Sequence, residues 1–275
     1  EMQLKENCWR YDTEKGAFFV KYYNDAYTAE KVRFIHAKLM KNHFPYIAPI
    51  TSKKGTPYIV HKWVNGRPAN YENEQDRSST LMMLKALHES NATWDDAYIP
   101  RQNLVRKWET RLSRFKSNEK ELLPLLDGYY YTIINLAEQA LKKIQTKKST
   151  ELKLLHGDVV HHNFLLGENP VLIDFDLACL GDPAEEVVLW MHRVLPHVNF
   201  DVYDLLNEQP YTEIIQQKIE YLLYPNELLR EWLYLLQVND EQREQLLQYV
   251  QPFTSRSLQM WPTLMQQVNR IAPIR

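Results

Sequence analysis

Glycine is scarce in this chain, 7 of 275 residues, and only two cysteines are present, Cys8 and Cys179. The first shortage excludes collagen-like and glycine-rich low-complexity architectures. The second leaves no disulfide framework and no cysteine-based zinc cluster, so a reducing compartment, the cytoplasm, is the expected setting. No apolar run reaches the roughly 18 to 20 residues of a membrane-spanning helix, so no membrane partner is expected. Internal repeats and low-complexity linkers are also missing. The chain opens at Glu1 without an initiator Met, which leaves room for an upstream segment.

What is present is the make-up of a globular protein, 44% apolar, 25% charged and 12% aromatic. The aromatic residues are expected to fill the core, and the length suits about two domains or one bilobal unit. A net charge of -2 hides an asymmetry: residues 1–150 carry 25 Lys/Arg against 17 Asp/Glu, and residues 151–275 carry 8 against 18. A basic front half suits a polyanion or a nucleotide and an acidic back half suits a cationic substrate, while solvated faces produce the same imbalance.

Hydrophobic periodicity divides the chain. Asn7–Tyr11 and Ala17–Tyr23 read as strands of a hairpin joined near Gly16. From Ala26 to Asn42 the spacing is helical, with Val32, Ile35, Leu39 and Met40 on one stripe and Lys31, Lys38 and Lys41 away from it. Ile47–Thr51 and Pro57–Val64 are expected strands, and Asn65-Gly66-Arg67-Pro68 is a breaker. Residues 1–66 thus form a small lobe of strands and one helix. Residues 67–275 are mainly helical, with helices expected over 74–90, 104–116, 129–145 and 184–194. Leu152–Leu155, Phe164–Leu166 and Val171–Phe175 are too short for helices and read as strands in a loop-rich patch.

That patch carries the chemistry. Leu155-His156-Gly157-Asp158-Val159-Val160-His161-His162-Asn163 is followed by Phe164 to Asp176, ending Ile173-Asp174-Phe175-Asp176. A two-residue loop at Glu168-Asn169 would pair Gly167 with Pro170 and set Asn163 opposite Asp174 on one face. An amide oxygen and a carboxylate about 5 Å apart are hard ligands suited to Mg²⁺, which takes its remaining ligands from nucleotide phosphates. Asp158, one short loop earlier, is placed to orient a hydroxyl. The plainer alternative makes all three turn or cap residues. His161 and His162 lack the further ligands of a transition-metal site and are expected to brace the loop or face solvent. Asp176 either assists the metal or caps the next turn.

His-Gly-Asp-x-x-x-x-Asn followed by Ile-Asp-Phe-Asp resembles the aminoglycoside phosphotransferase and choline kinase-like branch of the protein-kinase fold. The likeness runs from the Lys21 strand through Gly181-Asp182-Pro183. It implies an α+β, protein-kinase-like two-lobed fold, a small β-rich N-lobe with a larger mainly helical C-lobe. By the resemblance Asp158 is the catalytic base, Asn163 and Asp174 hold magnesium, and His156 braces the loop. Lys21, a charge inside an apolar strand that needs a partner, corresponds to the lysine that contacts nucleotide phosphates. The family's ion pair asks for an acid on the following helix. Glu30 is the only Asp or Glu between Ala26 and Tyr71, though it follows Lys21 by nine positions, closer than usual, and a solvated Glu at a helix N-terminus is its rival reading. Adenine would bond to backbone groups near Lys62 and Val64. Two departures stand out: no glycine-rich phosphate loop precedes Lys21, and the acid after Gly-Asp-Pro is Glu186.

The expected activity is transfer of the γ-phosphoryl group of ATP, with Mg²⁺, to a hydroxyl of a small molecule, possibly a cationic one such as an amino sugar or amino alcohol. Nucleic acid is not an expected partner, and oligomeric state is open. A protein kinase is disfavoured, since no Ala-Pro-Glu follows Asp174 and Gly181-Asp182-Pro183 comes within nine residues. The rival from another class is a kinase-fold scaffold without turnover.

Overall fold

The computed structural model describes residues 1–90, 94, 97–144, 152–207, 215–216 and 218–272. The aromatic hairpin of the sequence becomes the middle of a four-stranded antiparallel sheet in the order β1-β2-β3-β4, made of Met2–Lys5, Cys8–Thr13, Gly16–Tyr22 and Tyr58–Lys62. Helix α1, Ala26–Lys41, starts where Asp25 accepts a hydrogen bond from the Thr28 amide, leaving one helix-end donor fewer unsatisfied. Its Val32, Ile35 and Leu39 are buried as the spacing requires, with Ala29 beside them, but Met40, expected on the same stripe, is 42% exposed because it lies at the stripe's edge near the end of the helix. Lys31, expected away from the stripe, is buried as well, and its Nζ donates to the carbonyls of Asp176 at 2.6 Å and Ala178 at 3.3 Å.

The strand expected over Ile47–Thr51 shrinks to a single bridge, Ile50 to His61. Pro49 and Pro45 have no amide hydrogen to give a ladder. The breaker residues supply β5, Arg67–Pro68, and helix α2, Glu74–His88, follows. Arg67 forks onto Asp76 at 2.5 and 2.8 Å, which fixes the entry to α2. Strand β6, Lys153–Leu155, pairs with β9, Cys179–Gly181. Strands β7, Phe164–Leu166, and β8, Val171–Leu172, join β5 in a three-stranded sheet.

The chain divides into two compact units, Glu1–Gln102 with Glu151–Glu186, and Asn103–Thr150 with Val187–Arg275. Within the second lie α3, Leu104–Ser117, α4, Glu119–Leu122, and α5, Tyr129–Lys143. Helix α6, Pro183–Val194, runs on into it, followed by α7, Val202–Asn207, α8, Asn226–Leu235, and α9, Asp240–Ile271. Trp108 stacks on Tyr224 with centroids 4.4 Å apart, and the Tyr224 hydroxyl donates to the Trp108 carbonyl at 2.8 Å. Stacking and hydrogen bond together fix the packing of the α3 and α8 region. The expected helix end at Gln145 lies outside the described residues. No helix among the described residues is long and apolar enough to cross a membrane.

Candidate active site

The His156–Asp176 segment is held by backbone contacts that its sequence anticipates only in part. Gly157 has φ +82, and a Cβ there would lie 2.0 Å from the Leu177 carbonyl oxygen, so only glycine fits. His156 Nε2 donates to the Ile173 carbonyl at 2.8 Å, which ties the start of the loop to the strand before Asp174. Glu186, almost wholly buried, accepts from the Gly157 amide at 2.6 Å, the His156 amide at 3.1 Å and His88 Nε2 at 2.8 Å. Burial alone would raise its pKa, but the His88 hydrogen bond and the surrounding donors outweigh this and hold it below the ordinary glutamate value. The acid after Gly-Asp-Pro therefore acts as a clamp on the loop from thirty residues away.

The hairpin register differs from the expected one. Phe164 pairs with Leu172 and Leu165 with Val171, so Asn163 faces Ile173, whose amide donates to the Asn163 carbonyl at 3.0 Å. A slip of one residue normally turns a side chain to the other face of a sheet. Asp174 escapes this because the strand ends before it: at φ 65 it is left-handed, and a 3₁₀ turn over Phe175–Leu177 follows. Asn163 and Asp174 both line one cavity of about 280 Å³.

In that cavity Lys21 lies 2.8 Å from Asp174 Oδ1 and 2.6 Å from Asp176 Oδ2, and Tyr23 donates its hydroxyl to Asp176 at 2.9 Å. Burial works against the Lys21 charge, yet the two carboxylates outweigh it and raise its pKa. Burial would raise Asp174 too, but Lys21 prevails and keeps it ionised, whereas burial and the Asp174 charge push Asp176 upward. Asp158 is reached through Asn163, whose Nδ2 donates to the Asp158 carbonyl at 3.0 Å and to its carboxylate at 3.3 Å. With the amide nitrogen so used, the oxygen of Asn163 is the atom left for a ligand. An amide oxygen and an ionised carboxylate on one cavity wall are hard donors, and they fit Mg²⁺, which needs few protein ligands when phosphates supply the rest.

Lys21 and Glu30 are not brought together. Glu30 accepts instead from Arg33 at 2.5 Å and from the Gly55 amide at 2.8 Å. Arg33, on the next turn of α1, reaches the acid first, and the charge of Lys21 is met by Asp174 and Asp176 instead. Val64 lines the cavity, and among the described residues none donates to or accepts from its backbone, while the Lys62 carbonyl accepts from His61 Nδ1 at 2.8 Å. His161 and His162 are exposed in a 3₁₀ turn, and among the described residues no group of three or more His, Cys, Asp or Glu could hold a metal. Sequence reasoning missed Lys5, Lys31, His36 and His61 around the site; for Lys31 a signal existed, since it precedes Ile35 by four residues and so shares its face.

From residue 3 to residue 203 the sequence matches the model of the phosphotransferase enzyme family, and the chain belongs to that family. No curated protein matches it. Solved structures of similar fold include an aminoglycoside phosphotransferase from Alicyclobacillus acidocaldarius subsp. acidocaldarius DSM 446, 17% identical over 98% of this chain and 92% of that one with a TM-score of 0.71. A spectinomycin phosphotransferase in complex with ADP and spectinomycin is 16% identical over 92% and 87%, with a TM-score of 0.59. A choline kinase from Streptococcus pneumoniae is 12% identical over 98% and 91%, with a TM-score of 0.52. The fold is the α+β, protein-kinase-like one, with an N-terminal antiparallel sheet and a mainly helical remainder.

Proposed function

We propose that this protein transfers the γ-phosphoryl group of ATP, with Mg²⁺, to a hydroxyl of a small molecule. The observation that carries this reading is the convergence of Lys21, Asn163 and Asp174 on one cavity, with Asp158 one hydrogen bond behind Asn163. An ammonium has three hydrogens; two of those on Lys21 go to Asp174 and Asp176, and the third is available to a phosphate oxygen. Asn163 and Asp174 would hold the magnesium ion, which offsets phosphate charge when bound. Val64, and Lys62 beside it, would offer backbone groups to the base. The ADP in the spectinomycin phosphotransferase complex supports an adenine nucleotide here.

Asp158 orients the acceptor hydroxyl in line with the γ-phosphorus and takes its proton as the new oxygen–phosphorus bond forms. The bond to the β-phosphate oxygen breaks, and the diphosphate leaves with that electron pair. The chain's part is thus positioning and charge compensation rather than covalent chemistry. An acidic second half, 18 Asp/Glu against 8 Lys/Arg over residues 151–275, favours a cationic acceptor such as an amino sugar or amino alcohol. A reaction fed by ATP suits the cytoplasm.

Replacing Asp158 with Asn tests the reading, because it preserves shape and removes the base. Phosphate transfer, followed across a panel of amino sugars and amino alcohols, should fall by at least about 10²-fold, with ATP affinity within a few-fold of wild type. A variant as active as wild type would refute the role of Asp158. Wild-type protein that phosphorylates no acceptor would favour a kinase-fold scaffold.

A further inference from the structure

The strand lysine of a kinase fold works beneath a loop whose glycines let backbone amides wrap the phosphates. This chain has no room for such a loop. β1 and β2 are joined by Glu6-Asn7 alone, with Lys5 paired to Cys8 and Asn7 left-handed at φ 62. A turn this tight presents no run of amides to a phosphate chain. Something else must meet the outer phosphates.

The strand before the turn is irregular. Its register shifts between Gln3 and Lys5, a β-bulge. Neighbouring residues of a regular strand point to opposite faces, yet Leu4 and Lys5 both line the cavity that holds Lys21 and Asp174. Re-aiming a side chain in this way is what a bulge does. Lys5 Nζ lies 3.9 Å from Asp174 Oδ2, while Lys21 holds the other oxygen, Oδ1, at 2.8 Å. The two ammonium groups therefore sit on opposite oxygens of one carboxylate at different depths: the Lys5 side chain is 63% exposed and that of Lys21 15%. A pair as long and as open as Lys5–Asp174 adds little to stability. Its position, not its strength, is the informative feature.

We propose that Lys5 is a phosphate-binding residue that takes over the work of the missing glycine-rich loop, gripping the outer phosphates of a nucleoside triphosphate while Lys21 holds the inner ones. This rests on the nucleotide reading of the cavity given above. It makes the site a reader of phosphate number: AMP reaches Lys21 only, ADP approaches the mouth, and ATP engages both cations.

The test is calorimetric titration of the wild type, Lys5→Gln, Lys5→Arg and Lys21→Met with Mg-ATP, Mg-ADP and AMP. Lys5→Gln should lose about tenfold in affinity for ATP, less for ADP and nothing for AMP, as expected for one charge-assisted contact. Lys5→Arg, which keeps the charge, should stay within about threefold. Unfolding midpoints in urea should coincide for the wild type and both Lys5 variants, since no packing is removed. Equal ATP affinity in Lys5→Gln alongside a clear loss in Lys21→Met would overturn the role of Lys5 and leave the nucleotide site standing. An equal loss for ATP and AMP would also overturn it, pointing to a local distortion rather than a phosphate contact. Wild type that binds none of the three would remove the nucleotide reading and this proposal together.

Discussion

Glu186 in the first unit and Glu227 in the second are both acids with little exposed surface, and they keep opposite company. Glu186 is met by two backbone amides and an imidazole. Glu227 is met by side chains, Arg193 at 2.7 Å, Arg230 at 3.1 Å and the Asn226 amide at 2.7 Å. Arg230 also pairs with Glu231, and its side chain is 35% exposed. The difference is one of compliance. Backbone donors cannot move without moving the loop that carries Asp158, whereas guanidiniums on long stems can turn toward water when a partner is lost. The first unit uses ionic groups to fix a conformation; the second uses them as a network that can rearrange.

The strongest way to break this contrast is at glycine. Gly157→Ala should cost roughly 4 kcal/mol or prevent folding, because the added carbon meets the Leu177 carbonyl in a left-handed conformation. Gly128→Ala in the second unit, also left-handed at φ +88 but with nothing within 4 Å of the new carbon, should cost about 1 kcal/mol. Urea unfolding midpoints compare the two directly; similar losses would mean that the Gly157 loop yields as easily as an open turn.

Next come the two acids. In Glu186 both oxygens accept, Oε1 from Gly157 and Oε2 from His156 and His88, so the amide of Glu186→Gln must turn its NH₂ toward a donor. A loss of about 3 kcal/mol is expected. Glu227→Gln removes one charge from its pair with Arg193, whose side chains are only 11% and 15% exposed, but its carbonyl still accepts from the arginines, and about 2 kcal/mol is expected. Should Glu227→Gln prove the more costly in thermal denaturation, the second unit is the rigid one.

The smallest difference between the units is expected at two buried histidines, where the effect should be the same in both. Burial depresses the pKa of His36 in the first and His192 in the second to about 4, even though each bonds a backbone carbonyl. Above about pH 6.5 both are neutral whether folded or unfolded. As pH falls below that value the unfolded chain takes up protons that the folded one refuses, so stability drains away until pH reaches the folded value near 4. Between pH 7 and pH 5 the loss should be about 2 kcal/mol per histidine. His36→Gln and His192→Gln should each flatten the dependence of the urea midpoint on pH; a slope unchanged in both would mean that these imidazoles protonate in place.

Legibility in the sequence followed distance along the chain. Asp158, Asn163 and Asp174 sit close together in a local motif, and Gly157 stands out in a chain poor in glycine, so the candidate segment could be read before any fold was known. The hairpin register could not, because Gly167 joins the loop where a tight two-residue turn was expected and shifts Asn163 to face Ile173. The two halves of the Lys21 pairing are more than a hundred and fifty residues apart, and elimination within the local helix led to Glu30, which Arg33 had already taken. Lys5 was hidden for a different reason. A bulge changes which face a residue joins without leaving a mark in composition.

The first unit is assembled from two stretches, Glu1–Gln102 and Glu151–Glu186, with Asn103–Thr150 made in between. During translation the strands of the front sheet are hairpin neighbours or nearly so and can pair as they emerge. Lys21 and Lys31 emerge with them, but the oxygens that receive their charges belong to Asp174, Asp176 and Ala178. Through most of its synthesis the nascent chain therefore carries buried-to-be ammonium groups with nothing to neutralise them. A chain ending before residue 174 would hold both lysines and none of the oxygens that receive them in the folded protein.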